Sequence, residues 1–532
     1  MKKCFKHIIL GILAVVAAGC IENDIPYPVI GVEVLGIDVE GTASNATINN
    51  SEHKIVVELA ETTDIRRVKI NSIDISEGGR CDVTFPGLFD LRTPLYFNLS
   101  THHSWEWTLE ATQNIARYFT VEGQIGESTI DAEHYIATAL VPMDHDMKSV
   151  NITSAKLGPE GITTYSVDPT TLTDFEDSAR NITITYHDDI VEEWTLRIVP
   201  TDVEVEFKGV DAWAKRIWLY AEGRSGAELG FKYRKAGDEE WIAVEDITTN
   251  GGSFSAYVDN LDTLTEYEVV AFSNDNYTDV VSVTTEDVWM LPNGGFEEWS
   301  TNNNIVYPYG ADAAPFWGSG NDGAAMASTT LTEPCTDVRP GSDGAYAASL
   351  QSKKAAIMGI GKFAAGNIFL GEFGGLVGLD GLVNFGRPCA ARPVALHGWV
   401  KYNCGTIDEL GRVPSARPEL KKGDMDEGQI MIAVGDWSAE EYGGSVDCPV
   451  VVNTKDESTY FNRHGKNVIG SGEMILKEST DGWIEFTLPL DYTTTSKVPT
   501  HMIIVCTGSR FGDYFTGSTQ SLMLVDDVEL LY

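Results

Sequence analysis

Positive charge is scarce in this 532-residue chain: 38 lysines and arginines stand against 79 aspartates and glutamates, for a formal net charge of −41. Nucleic acid and anionic lipid headgroups would be repelled by such a surface, which excludes them as principal partners. No cysteine pair has CxxC spacing, which removes the common zinc and dithiol motifs. GxSxG, HExxH, a P-loop and a GxGxxG in a strand–helix setting are missing as well, so no nucleophile, metalloprotease or nucleotide-binding constellation can be read. Doublets such as EE, DE and DD are so common here that they say nothing about a glycosidase, which needs two carboxylates facing one bond. Amphipathic helices are also missing: none longer than about three turns stands out.

What is there begins with MKKCFKHIILGILAVVAAGC. A basic start (Lys2, Lys3, Lys6) and an apolar run from Ile8 to Ala18 are too short to span a bilayer and have the shape of a secretory signal. AAGC resembles the bacterial lipobox, in which cleavage falls before the cysteine and its thiol receives lipid. Glu22 and Asp24 just after it resemble the surface-export signal of Bacteroidota lipoproteins. The expectation is a signal peptide over 1–19, a lipid anchor at Cys20 and a tether over 20–36, placing the chain at the outer membrane or cell surface. With Cys4 and Cys20 set aside, the eight cysteines leave Cys81, Cys335, Cys389, Cys404, Cys448 and Cys506. Their scatter shows no disulfide framework, so mostly buried free thiols are expected.

Short strands separated by Gly, Asn, Asp and Pro recur along the chain, and 43% hydrophobic residues with 12 Trp and 20 Tyr supply cores. The chain reads as all-β. A repeat aligns HKIVVELAETTDIRRVKI from His53 with HYIATALVPMDHDMKSVNI from His134, and brings Trp107 opposite Trp194, 87 residues on. That is the length of one sandwich domain. Residues 37–118 and 119–203 resemble immunoglobulin-like modules; His53, His134 and the His102–His103 pair have no ligand spacing and are expected in loops or at strand ends. Residues 204–287 resemble a fibronectin type III domain, in which LDTLTEYEVVAF would carry the corner tyrosine, Tyr267, with Leu261 and Thr265. Trp218 and Trp241 are expected to pack in the core and at a strand edge.

Residues 288–532 contain NGGFEEW, FWGSGND, RPVALHGWVKY and GDYFTGSTQSLMLVDD in order. This segment resembles the putative carbohydrate metabolism domain of Bacteroidota lipoproteins, which implies a β-jelly roll like that of carbohydrate-binding modules. The expected fold is therefore tandem immunoglobulin-like and fibronectin type III-like β-sandwiches followed by a C-terminal jelly roll. Cys389 and the acidic stretch Asp424 to Glu427 depart from the family pattern and could alter a binding surface. The family implies no established reaction and no organic cofactor.

In SLMLVDDVELLY, strict alternation puts Asp526 on the face of Leu524, Val528 and Leu530, the core face. Jelly-roll sugar-binding modules often share a structural calcium between an acid near the first strand and one in the last. The resemblance thus implies calcium between Glu297 and Asp526 or Asp527, with carbonyls from Asn293, Gly294 and Gly295. The other reading is that Asp526 accepts backbone N–H bonds while Asp527 faces water. For a glycan, stacking faces and adjacent polar groups are needed. Trp317, Tyr307, Tyr309, Trp437, Tyr442 and Tyr514 fall in loop-like stretches and are the platform candidates, with Asp513 and Arg510 beside Tyr514 to bond hydroxyls. Trp399 and Trp483 lie among apolar neighbours and are expected in the core. The function expected is glycan binding by the jelly roll, with the sandwiches as spacer. The alternatives are a glycoside-processing enzyme and a protein-binding adhesin or assembly component.

Overall fold

The structure, a computed structural model, describes residues 31–532 except 178, 358, 359 and 379. The expected signal and anchor, with Cys20, Glu22 and Asp24, lie outside the described residues. Strands make up nearly all of the regular structure, and the α-helices are two four-residue turns, Asn321–Ala324 and Ala439–Tyr442, among the described residues. No described helix is long and apolar enough to cross a membrane. The chain is all-β.

The two repeat copies build the same sheet. In each, a strand runs parallel beside the end of a long strand: Lys54–Leu59 beside Thr108–Gln113, and Ile136–Pro142 beside Thr195–Thr201. The long strand then pairs antiparallel with the one before it. Trp107 and Trp194 sit at the centre of the two cores, both fully buried. Val32 and Val34 also enter the first core, so this unit takes in residues before 37.

Residues Val205–Thr284 form two further packed sheets. Tyr267 is buried, and its hydroxyl accepts the N–H of Asp262 at 3.0 Å, pinning the corner. This unit locks onto the C-terminal one. The indole N–H of Trp213 donates to the Thr495 carbonyl at 3.0 Å, and its ring lies 4.6 Å from that of Tyr492. Arg392, 5% exposed, donates to Glu286 and to the carbonyls of Ala212 and Thr495. A buried guanidinium needs such partners, since desolvating it alone is costly.

The C-terminal unit packs a five-stranded sheet (Thr332–Cys335, Ala347–Gln351, Leu522–Leu531, Ala395–Asn403, Ile484–Pro489) against a nine-stranded one. Ile430, Ile432, Val434, Met502, Ile504 and Cys506 of the large sheet meet Leu396, Val400, Met523, Val525 and Leu530 of the small sheet. The intervening residues of the large sheet are apolar too: Phe369, Phe385, Met431, Ala433 and Ile503 form a second cluster on its other face. Runs such as IMIAV and MIIV are what a strand covered on both faces requires.

Candidate functional site

Two places in the C-terminal unit gather the chemistry-bearing residues. One is the junction where the NGGFEEW turn meets the last strand. Gly294 is needed here, because a Cβ would lie 2.1 Å from the carbonyl oxygen of Val528, whose N–H in turn donates to the Gly294 carbonyl. Asp527 has φ +45° and the register shifts opposite Gly398, a β-bulge that re-phases the strand. Met523 and Val525 face the core before it, and Val528 and Leu530 after it. Asp526 thus points away from the core, correcting the strict alternation.

Asp526 is nevertheless fully buried, under the loop that carries Arg339. Its two oxygens accept the N–H groups of Arg339 and Asp527, both at 2.9 Å. Burial pushes its pKa up while those bonds pull it back. Asp527 accepts Arg339 Nε at 2.6 Å, and Glu297 accepts the N–H groups of Ala345 and Tyr346 at 2.8 and 3.2 Å. Calcium needs six to eight oxygen ligands. Here the carboxylates are met by N–H donors, and the Arg339 guanidinium supplies the positive charge. Among the described residues, no three His, Cys, Asp or Glu are grouped to hold a metal. The donor set does not fit calcium, and Glu297, Asp526 and Asp527 fasten the 337–346 loop instead.

The same region claims Trp317. It is 1% exposed, in a three-residue strand paired with Ile368–Leu370, and its indole donates to the Pro292 carbonyl. Trp437, 3% exposed, packs against Phe461 in the second cluster. Neither is available as a stacking face. Trp399 and Trp483, expected in the core, lie half-buried outside it: Arg339 sits over the Trp399 ring, and Trp483 donates to Asp337. Tyr309 leans on Tyr307, whose hydroxyl donates to Asp322.

The second place is a groove on the face of the large sheet turned away from the small one, with a cavity of about 250 Å³. Register puts Asn367, Thr507 and Gln429 side by side on three strands, and Phe369, Val505 and Met431 in the next row on that face. Phe373 pairs with Val383 further along, and Phe369 meets Phe385 edge to face at 5.2 Å. Arg510 and Asp513 follow from the loop after Thr507, and Phe363 and Phe515 close the wall. Lys362 caps the Phe515 ring at 3.8 Å and pairs with Asp380. Lys362, Phe363 and Phe515 also line an adjoining hollow of about 450 Å³ with Glu409, Arg412 and Lys455.

The polar end is held from behind. Arg510 donates to Glu427 at 3.0 Å, which also takes Arg417 at 3.1 Å. Gln429 donates to Glu473. Asp426, fully buried, accepts the hydroxyls of Ser509 and Ser521 and the N–H groups of Ser518 and Glu427. The acidic stretch 424–427 therefore turns Asp426 and Glu427 inward as support rather than presenting them on a surface. Asp513 differs: no hydrogen bond or ion pair reaches its carboxylate among the described residues, only its carbonyl being used, by Tyr460 and Arg412. Burial pushes its pKa up to about 6, with the charge of Arg412 opposing. Tyr514 sends its hydroxyl to Glu457 at 2.6 Å and its ring against Tyr460. It braces the loop and does not line the groove; nor do Tyr309 and Tyr442. The structure thus brings Arg510 and Asp513 together in the groove and separates them from every aromatic expected beside them. The five groove phenylalanines carried no sequence signal beyond apolar alternation.

Residues 295–531 match the family model described as putative carbohydrate metabolism domain. The match covers less than half of the chain, so it speaks for the C-terminal unit. No curated protein matches. Similar solved structures include a putative glycoside hydrolase from Bacteroides thetaiotaomicron, at 14% identity and TM-score 0.31, covering 95% of this chain and 98% of that one. Another, from Bacteroides vulgatus, has 20% identity and TM-score 0.32 over 46% of this chain and 97% of its own. A tandem of CBM22 domains from Paenibacillus barcinonensis has 8% identity and TM-score 0.19 over 77% and 98%. TM-scores this low carry no conclusion about what the chain does. The C-terminal unit is a carbohydrate-related domain on the family match alone.

Proposed function

We propose that the chain is an exported lipoprotein, anchored through Cys20, whose C-terminal domain binds a glycan in the groove of the large sheet. The observation that carries the binding reading is the pairing of an aromatic floor with the row Asn367, Thr507 and Gln429 and the side chains of Arg510 and Asp513. A sugar presents both an apolar ring face and hydroxyls, and a site of this kind offers partners to each. Arg510 is already neutralised by Glu427, which leaves Asp513 as the groove's uncompensated charge. Together with the net charge of −41, that favours a neutral or cationic glycan. Hydrolysis finds less support: Asp513 is the one acid among the described lining residues, whereas glycosidases use two. Asp380 and Glu409 in the adjoining hollow are engaged by Lys362 and Lys354.

The test is calorimetry of the full chain against a panel of neutral, amino and acidic oligosaccharides, with reducing ends assayed in parallel. Arg510→Ala or Asp513→Ala should weaken binding by about 1–3 kcal/mol, the loss expected when a hydrogen bond to a charged group is removed. Accumulating reducing ends would favour the enzyme. No binding by any member would sink the glycan reading and favour an adhesin. For the anchor, Cys20→Ser should release the protein from the membrane fraction, since stable anchoring needs more than one acyl chain.

A further inference from the structure

The groove is polar in one row and apolar in the next, and the division follows from strand register. Asn367, Thr507 and Gln429 lie across three neighbouring strands, with Ser509, Arg510 and Asp513 beyond the end of one of them. Two residues along each strand the row becomes Phe369, Val505 and Met431, and further on come Phe385, Phe373 and Val383. No tryptophan or tyrosine is among the described lining residues. This matters because tryptophan and tyrosine carry a polar handle that suits a surface part apolar and part wet, whereas phenylalanine has none. Apart from the Thr454 hydroxyl, whose oxygen already accepts the Gly381 N–H, the side chains at the apolar end offer little to a hydroxyl. Its rim is apolar as well: Met326 is 70% exposed and Leu376 40% exposed, beside the half-buried Phe373. Exposed apolar surface gathered at one end of a cavity marks a place where something apolar is covered.

We propose that the saccharide taken by this groove carries an aryl substituent, its sugar on the polar row and its aromatic ring against the part-exposed Phe373 and the rim formed by Met326 and Leu376. The inference rests on the glycan reading above and narrows it to aryl glycosides or phenolic esters of a polysaccharide. An aromatic ring, rather than an alkyl chain, suits this end because Phe373 is a ring left part-exposed there, and a ligand ring can meet it through the same quadrupole attraction that sets the buried Phe369 and Phe385 edge to face at 5.2 Å. A bare oligosaccharide long enough to reach the Met326 and Leu376 rim would set hydroxyls against apolar side chains with few partners, which costs free energy.

The test compares matched methyl and phenyl glycosides of glucose, galactose, mannose and xylose, with phenol as control, by calorimetry on the full chain. For the sugar that binds, the phenyl glycoside should be roughly tenfold or more tighter than the methyl glycoside, about 1.4 kcal/mol. Phe373→Ala and Met326→Ser should each narrow that ratio, weakening the phenyl glycoside more than the methyl glycoside; Met326 is exposed enough that folding is not at stake. Equal affinity for the two glycosides would overturn the inference while leaving glycan binding intact, and so would a ratio unchanged in both variants. Phenol binding as tightly as the phenyl glycoside, or no binding by any glycoside, would instead overturn the glycan reading of the groove and the inference with it.

Discussion

The junction holds a fully buried aspartate and the groove a part-buried one, each with its pKa pushed upward, and the two are treated oppositely. At the junction, both oxygens of Asp526 receive backbone N–H groups, and Asp527 beside it takes the Arg339 side chain. In the groove, Asp513 is among the lining residues, and its carboxylate has no partner among the described residues. A buried polar group whose hydrogen bonds are made contributes to stability, and a part-buried one whose bonds are open is free to take a ligand's donors. The difference separates a fastening from a candidate site, although both are Asp residues near the C-terminus of one domain.

The sharpest way to break the comparison is at the junction's core. Trp317→Ala removes a fully buried ring and the bond to the Pro292 carbonyl, and should cost about 3–5 kcal/mol in denaturant unfolding. If Trp317→Ala spares stability and abolishes glycan binding, the division between fastening and site is wrong. Next in size, Asp526→Ala strands the N–H groups of Arg339 and Asp527 and should cost about 1–3 kcal/mol. Phe373→Ala, in the half-buried wall of the groove, should cost about 1 kcal/mol, near the centre for point substitutions.

Asp513 should show itself through pH. Its folded pKa is about 6 against an ordinary 3.8, so the folded state holds this proton more tightly than the unfolded chain does. The group's contribution favours folding most below pH about 4 and is lost as the pH rises through about 6. Asp513→Asn should flatten that part of the stability profile. A profile identical to the parent's between these limits would mean that the carboxyl is not shielded from water enough to shift its pKa. The smallest expected effect is that of chelator: with Arg339 opposite the acids, removing or adding calcium should leave the melting temperature unchanged. A drop on chelation, reversed by calcium and absent in Asp526→Ala, would restore the metal reading.

The acidic stretch is the instructive middle case. Asp424 to Glu427 looked like a surface feature because charged runs usually are. Yet the stretch runs directly into GQIMIAV, whose first residue is already buried at the sheet. Asp426 and Glu427 are drawn under the surface by that proximity, and four donors on Ser509, Ser518, Ser521 and Glu427 satisfy Asp426.

Local pattern by itself determined much about this protein. Turn residues and short alternating runs made it all-β. The 87-residue offset placed Trp107 and Trp194 in equivalent cores, and NGGFEEW could be set against the last strand. Arg510 and Asp513 were legible as a polar pair because they stand together in a glycine-rich loop. The tertiary structure alone decided which aromatics are free. Trp317 looks like a loop residue until Ile368–Leu370, some fifty positions on, pairs with its short strand. The face of Asp526 turned on a single left-handed residue, Asp527, since one extra residue in a strand reverses every side chain beyond it. The groove floor is the clearest instance: Asn367, Gln429 and Thr507 become neighbours only through the register of three strands far apart in sequence. Period-2 alternation tells which residues share a face of one strand, but not which strands lie side by side, and a binding surface on a sheet is made by the second fact.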